Sequence, residues 1–118
     1  MKDINILKNN GVNLDASLDI LGDIEMYNDT LNDFLEEIVS KVENLKTYKE
    51  ADDMPNYAIY AHSVKSDSKY LGFVKLAEIA FNHEIRAKDN DIDYIKNNFN
   101  LLVDEINRVV QISKDYLN

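Results

Sequence analysis

An all-α fold, an antiparallel four-helix bundle with a short extra N-terminal helix, is what this sequence predicts, on three observations. Gly occurs three times and Pro once in 118 residues, too few for the turns of a sandwich or barrel. Apolar residues recur at helical spacing from one end of the chain to the other. The breaks between these stretches are short and polar, so successive helices should run back along one another. With 45% apolar and 30% charged residues the composition is that of a globular protein. Residues 1–118 are expected to form one domain, since a chain this long can bury roughly two-thirds of the surface its unfolded form exposes.

The first, short helix is predicted over residues 13–21, where Leu14, Leu18 and Leu21 form one stripe and Gly22 ends the pattern. The second runs from about Asp23 to Lys49. Its apolar face is Tyr27, Thr30, Leu31, Phe34, Leu35, Ile38, Val42 and Leu45, with Glu36, Glu37, Lys41 and Glu43 largely off it. Ala51-Asp52-Asp53 connects to the third, with Asp53 as N-cap and Pro55 near the first turn. The third helix continues to Leu71 through Tyr57, Ala61, Val64 and Ser68, and Gly72 suits its C-terminal stop. The fourth spans about Phe73 to Ala87, with Leu76, Ile79, Ala80 and His83 as one face. A polar turn leads to the last, from Asp91 to Leu117, whose face carries Ile92, Ile95, Phe99, Leu102, Ile106, Val109 and Val110.

Composition excludes several classes of function. Without Cys there is no disulfide framework, thiolate zinc site or thiol chemistry. The net charge of −9 argues against nucleic acid or an anionic membrane as partner, because phosphate-rich surfaces are bound by clustered Lys and Arg. No stretch reads as a secretion signal or a membrane span, so a cytoplasmic protein is expected. There is no Gly-rich loop or Walker sequence, so the chain should not phosphorylate itself from ATP. The acidic second helix lacks the Glu-x-x-His pairs of a di-metal bundle, and no metal site is expected. The seven Tyr residues read as core and edge packing.

One stretch runs against the overall charge. His62 lies one residue past the core position Ala61, about 100° round the helix from it. Lys65, Ser66 and Lys69 follow at three, four and seven residues and share its outward face. From His62 to Lys75 there are three Lys against one Asp. A neutral imidazole is a nucleophile near pH 7. Phosphoryl transfer asks mainly for positioning and charge stabilisation. On spacing alone, however, a helical His is ordinarily a solvated side chain.

The segment from Ala61 to Phe73, AHSVKSDSKYLGF, resembles the signature of histidine-containing phosphotransfer (HPt) domains, with His62, Val64, Lys65, Ser68, Leu71 and Gly72 in register. The similarity extends to Leu76-Ala77-Glu78-Ile79-Ala80 with Glu84 and Arg86, and back through Phe34-Leu35 and Tyr27 to Gly11. The resemblance implies a phosphorelay carrier of two-component signalling. His62 would accept a phosphoryl group from the aspartyl phosphate of a receiver domain and pass it to another receiver. Lys65 would stabilise charge and assist docking. Ser66, Lys69 and Gly72 would belong to the docking region, Gly72 with Ser68 also serving as a packing position. No cofactor of its own is implied, since Mg²⁺ belongs to the receiver domain of the partner response regulator or hybrid histidine kinase. A monomer is expected.

The sequence departs from the family pattern twice. Ser66 stands where Gly is usual, and Asp67 replaces a small neutral residue, about 140° round the helix from His62. Both bear on partner choice. His83 lacks a following Lys and reads as a packing residue at a helix edge. Arg86 and Lys88 would add positive charge near the docking face if the fourth helix turns them toward it. A different class of function remains open, a non-catalytic adaptor that binds and sequesters a receiver, although docking alone requires neither His62 nor Lys65. A module of a larger hybrid kinase is a further alternative; the initial Met and lack of a linker favour an independent chain.

Overall fold

A computed structural model describes residues 2–118. It contains six helices: α1 (Ile4–Asn9), α2 (Leu14–Leu21), α3 (Ile24–Glu50), α4 (Met54–Leu71), α5 (Val74–Lys88) and α6 (Ile92–Leu117). The last four are the long helices of the expected bundle. Two short helices precede them where one was expected. The additional one, α1, is six residues long and places a single buried side chain, Leu7, against the rest. A segment that short carries no full helical repeat to read.

Local chemistry starts most of these helices. Asp3, Asn13, Asp23, Asp53 and Asp91 each accept a backbone N–H of the first turn, satisfying a donor that has no partner within the helix. Asp53 and Pro55 begin α4 as their sequence predicts. Only α5 starts without a side-chain cap. Its entry is held instead by the chain before α2: the Asn13 N–H donates to the Gly72 carbonyl at 2.9 Å, and Val12 and Phe73 form an antiparallel bridge. Gly72 adopts a left-handed conformation (φ 77°), and a β-carbon there would lie 2.5 Å from the Asn13 carbonyl oxygen. Glycine is therefore required both by backbone angle and by space.

Contacts along the helices show the antiparallel order. Tyr48 stacks on Tyr60 and Lys41 pairs with Asp67, joining α3 to α4. Lys96 pairs with Asp52 at one end of α6, and the Tyr116 hydroxyl donates to Asn28 at the other, at 2.6 Å. The ring of His83 meets that of Tyr94, joining α5 to α6. The buried apolar side chains form one contiguous cluster with Tyr27, Tyr57, Phe73, Leu76, Ile95 and Leu102 among its largest members. Burying each side chain of this kind stabilises the fold by about 1.5–3 kcal/mol before entropy is counted. Buried hydroxyls are satisfied: Tyr27 donates to the Leu71 carbonyl at 2.7 Å, and Ser68 to that of Val64. No helix among the described residues is long and apolar enough to cross a membrane.

Candidate functional site

His62 stands midway along α4, next to the fully buried Ala61, and its side chain is 56% exposed. The ring does not stand alone. Its Nδ1 lies 2.9 Å from Oε2 of Glu84, which α5 brings across from the facing helix. Glu84 is almost completely buried, yet it collects two cations as well. Lys65 Nζ sits 2.8 Å from Oε1, and Lys88 Nζ 2.8 Å from Oε2. The Lys65 contact is ionic rather than a well-directed hydrogen bond, because Oε1 has no hydrogen-bond partner of good geometry.

These contacts decide the charge of Glu84. Burial pushes its pKa up, but the bonds from Lys65, Lys88 and His62 outweigh that and hold it at about 2. The carboxylate is ionised at neutral pH and can only accept, so Nδ1 of the neutral ring carries the proton and donates it. The lone pair is then on Nε2, which has no hydrogen-bond partner among the described residues. The arrangement can perform one kind of chemistry well. An exposed nitrogen can attack an electrophile while a fixed anion on the opposite ring nitrogen faces the positive charge that develops.

The sequence places two ammonium groups outward beside the imidazole, and the structure corrects this. Lys69 is exposed, but Lys65 folds down onto Glu84, is only 14% exposed, and lies 5.3 Å from the centre of the Phe81 ring. Ser66 is half-buried on the same helix. Gly72, expected in the docking region, is buried against Asn13 and offers little surface, which suits packing better than docking. Asp67 points toward α3 and is neutralised by Lys41 at 2.7 Å, which explains how an acidic residue is tolerated within the basic stretch. His83, expected at a helix edge, is in the core, with Nδ1 2.8 Å from the Tyr57 hydroxyl. Burial lowers its pKa to about 4, against a smaller opposing effect of a hydrogen bond to the Asn98 backbone.

Glu84 is the site residue that sequence reasoning missed, though a signal was present. It falls on the stripe of Leu76, Ala80 and Ala87, four residues after Ala80 and three before Ala87. A carboxylate on an apolar stripe must be paired, because burying an isolated charge is prohibitive. Glu105 shows the same pattern on α6, where Arg108 grips both its oxygens at 2.8 and 2.7 Å.

The surroundings of His62 suit a protein partner. Ile59, Phe81 and Ile85 are large, apolar and exposed near the His62–Glu84 pair. A cleft of about 570 Å³ opens between the start of α4 and the end of α5, walled by Met54, Ala58, Ile59 and Ala87, with His62, Glu84 and Lys88 in its lining.

A protein-family model, the Hpt domain, matches residues 29–112, from the first turns of α3 to near the end of α6. Searches of curated proteins and of solved structures returned no significant match. With His62, its carboxylate partner and most of the four long helices inside the matched span, the chain belongs to the Hpt domain family, whose role is histidine phosphotransfer in two-component signalling.

Proposed function

We propose that this protein is a phosphorelay carrier that accepts a phosphoryl group on His62 Nε2 from the aspartyl phosphate of one receiver domain and delivers it to the aspartate of another. The observation that carries this reading is the pairing of an exposed imidazole with a buried, ionised Glu84 on Nδ1. In the forward step the Nε2 lone pair forms the P–N bond. The P–O bond to the donor carboxylate breaks, and its electron pair leaves with that carboxylate. The Nδ1 proton stays in place, and the positive charge on the ring faces Glu84. No proton has to leave, so the reverse step needs no base: the P–N electrons return to Nε2 as the next carboxylate attacks.

Lys65 supports the step by holding Glu84 and adding positive potential near the ring. Ser66 and Lys69 extend the partner-facing surface along α4. The divalent ion of the reaction belongs to the receiver. The reading takes the chain as one domain, monomeric and cytoplasmic.

The test mixes the protein with a phosphorylated receiver domain and Mg²⁺. It looks for acid-labile, alkali-stable label, with His62→Gln alongside. Label on the wild type and none on His62→Gln is expected, with both proteins folded, because the ring is at the surface and Lys65 and Lys88 remain to pair Glu84. Binding of receivers without any label would replace the carrier with the sequestering adaptor.

A further inference from the structure

Glu84 is shared by two lysines, and only one of them is free to leave. Lys65 is 14% exposed and is packed beside the Phe81 ring. Withdrawing it would strip the buried Oε1 of its only cation, which is costly for a carboxylate out of water. Lys88 is different on each count. It stands in the last turn of α5 and is 64% exposed. If it leaves, Oε2 keeps the His62 Nδ1–H and Oε1 keeps Lys65.

The two lysines also lie on different sides of the carboxylate. Oε1 faces Lys65, whose ammonium lies over Phe81. Oε2 faces His62 and Lys88, and these two both line the open cleft, which Lys65 does not reach. A phosphoryl group on the ring brings nearly two negative charges and strong acceptor oxygens. An ammonium on a long flexible stem, bound to the same carboxylate oxygen as His62 Nδ1, is suited to follow that charge.

We infer that Lys88 swings from Glu84 Oε2 onto the phosphoryl oxygens as the group arrives on His62, acting as the mobile cation of the transfer while Lys65 stays with Glu84. The inference rests on His62 being the acceptor. Lys88 exchanges no proton or electron pair: its ammonium changes hydrogen-bond partner, and the P–N and P–O bonds form and break as described above.

The test uses phosphoramidate as donor, because a small donor needs no docking surface. Lys88→Met should slow labelling of the full chain about 10-fold, the loss of one charge-assisted hydrogen bond at a partly exposed site. Lys88→Arg should recover most of the rate. In side-chain ¹⁵N spectra the Lys88 Nζ resonance should move on phosphorylation and that of Lys65 should stay. A Lys88→Met variant labelled at the wild-type rate, a rate loss that accompanies unfolding, or a Lys65 resonance that moves in place of Lys88, would overturn the assignment. Wild-type protein that takes label from neither phosphoramidate nor a receiver would overturn the carrier reading itself, and this inference with it.

Discussion

His62 and His83 sit on adjacent helices, and each has a partner on Nδ1. For His62 that partner is a carboxylate and the rest of the ring meets solvent. For His83 it is a tyrosine hydroxyl, and the ring lies between Tyr57 and Tyr94 with 1% of the residue exposed. The same side chain therefore stands in opposite settings. A fixed anion on one nitrogen and open space at the other suit a nucleophile, whose developing positive charge would be met by the anion. A neutral partner and burial make a ring that stays uncharged and ties α4, α5 and α6 together. An imidazole's role is set by what holds its second nitrogen and by whether the first is reachable.

The largest effect should come from exchanging the two positions in a labelling assay. His62→Gln should lose all phosphate acceptance and His83→Leu should keep it. Label retained by His62→Gln would dissolve the distinction. Next comes Glu84→Gln, which keeps the shape of the side chain and removes its charge. Transfer should slow by about 10- to 100-fold, if the loss matches that of removing the partner that orients a metal-bound His. An unchanged rate would show that solvent serves Nδ1 as well as Glu84 does.

Acid should then separate the two regions by stability. The folded pKa of His83 is about 4, below its ordinary 6.5. The unfolded chain thus takes up the proton first as pH falls. This part of the stability is complete above about pH 6.5 and is lost progressively down to about pH 4, on the order of 3 kcal/mol in all. Glu84 has its folded pKa lowered from 4.5 to about 2. Its contribution is present above about pH 4.5 and disappears as pH falls toward 2. Urea melts against pH should show both windows in the wild type, the upper one missing in His83→Leu and the lower one in Glu84→Gln. The smallest effect is that of His83→Leu at pH 7, a loss of about 1–3 kcal/mol because the Tyr57 hydroxyl is left buried without an acceptor. A variant as stable as the wild type would mean that Tyr57 finds another partner.

Much of this was legible in the chain. The four long helices follow from apolar spacing, and Asp23, Asp53 and Asp91 mark their starts by the short-range bonds such residues make. The outward direction of His62 follows from its step past Ala61, and Gly72 from the need to stop α4. Helix α1 was not legible, because six residues show no period. Nor was the burial of His83. Its stripe is ambiguous at the edge, and only the hydroxyl of Tyr57, on another helix, makes the interior tolerable for an imidazole.

The sequence by itself determined which segments are helical, where they stop, and that a histidine with basic neighbours faces outward from the second long helix. Those are matters of neighbours within a few turns. Only the tertiary structure decided that Glu84 meets His62, that Lys65 turns inward while Lys88 reaches the same carboxylate from the surface, and which ring nitrogen is left free. These depend on how α5 is rotated and shifted against α4. That setting comes from the core as a whole, to which α5 contributes Leu76, Ala80 and Ala87, and a modest shift or rotation of α5 would part the carboxylate from the ring.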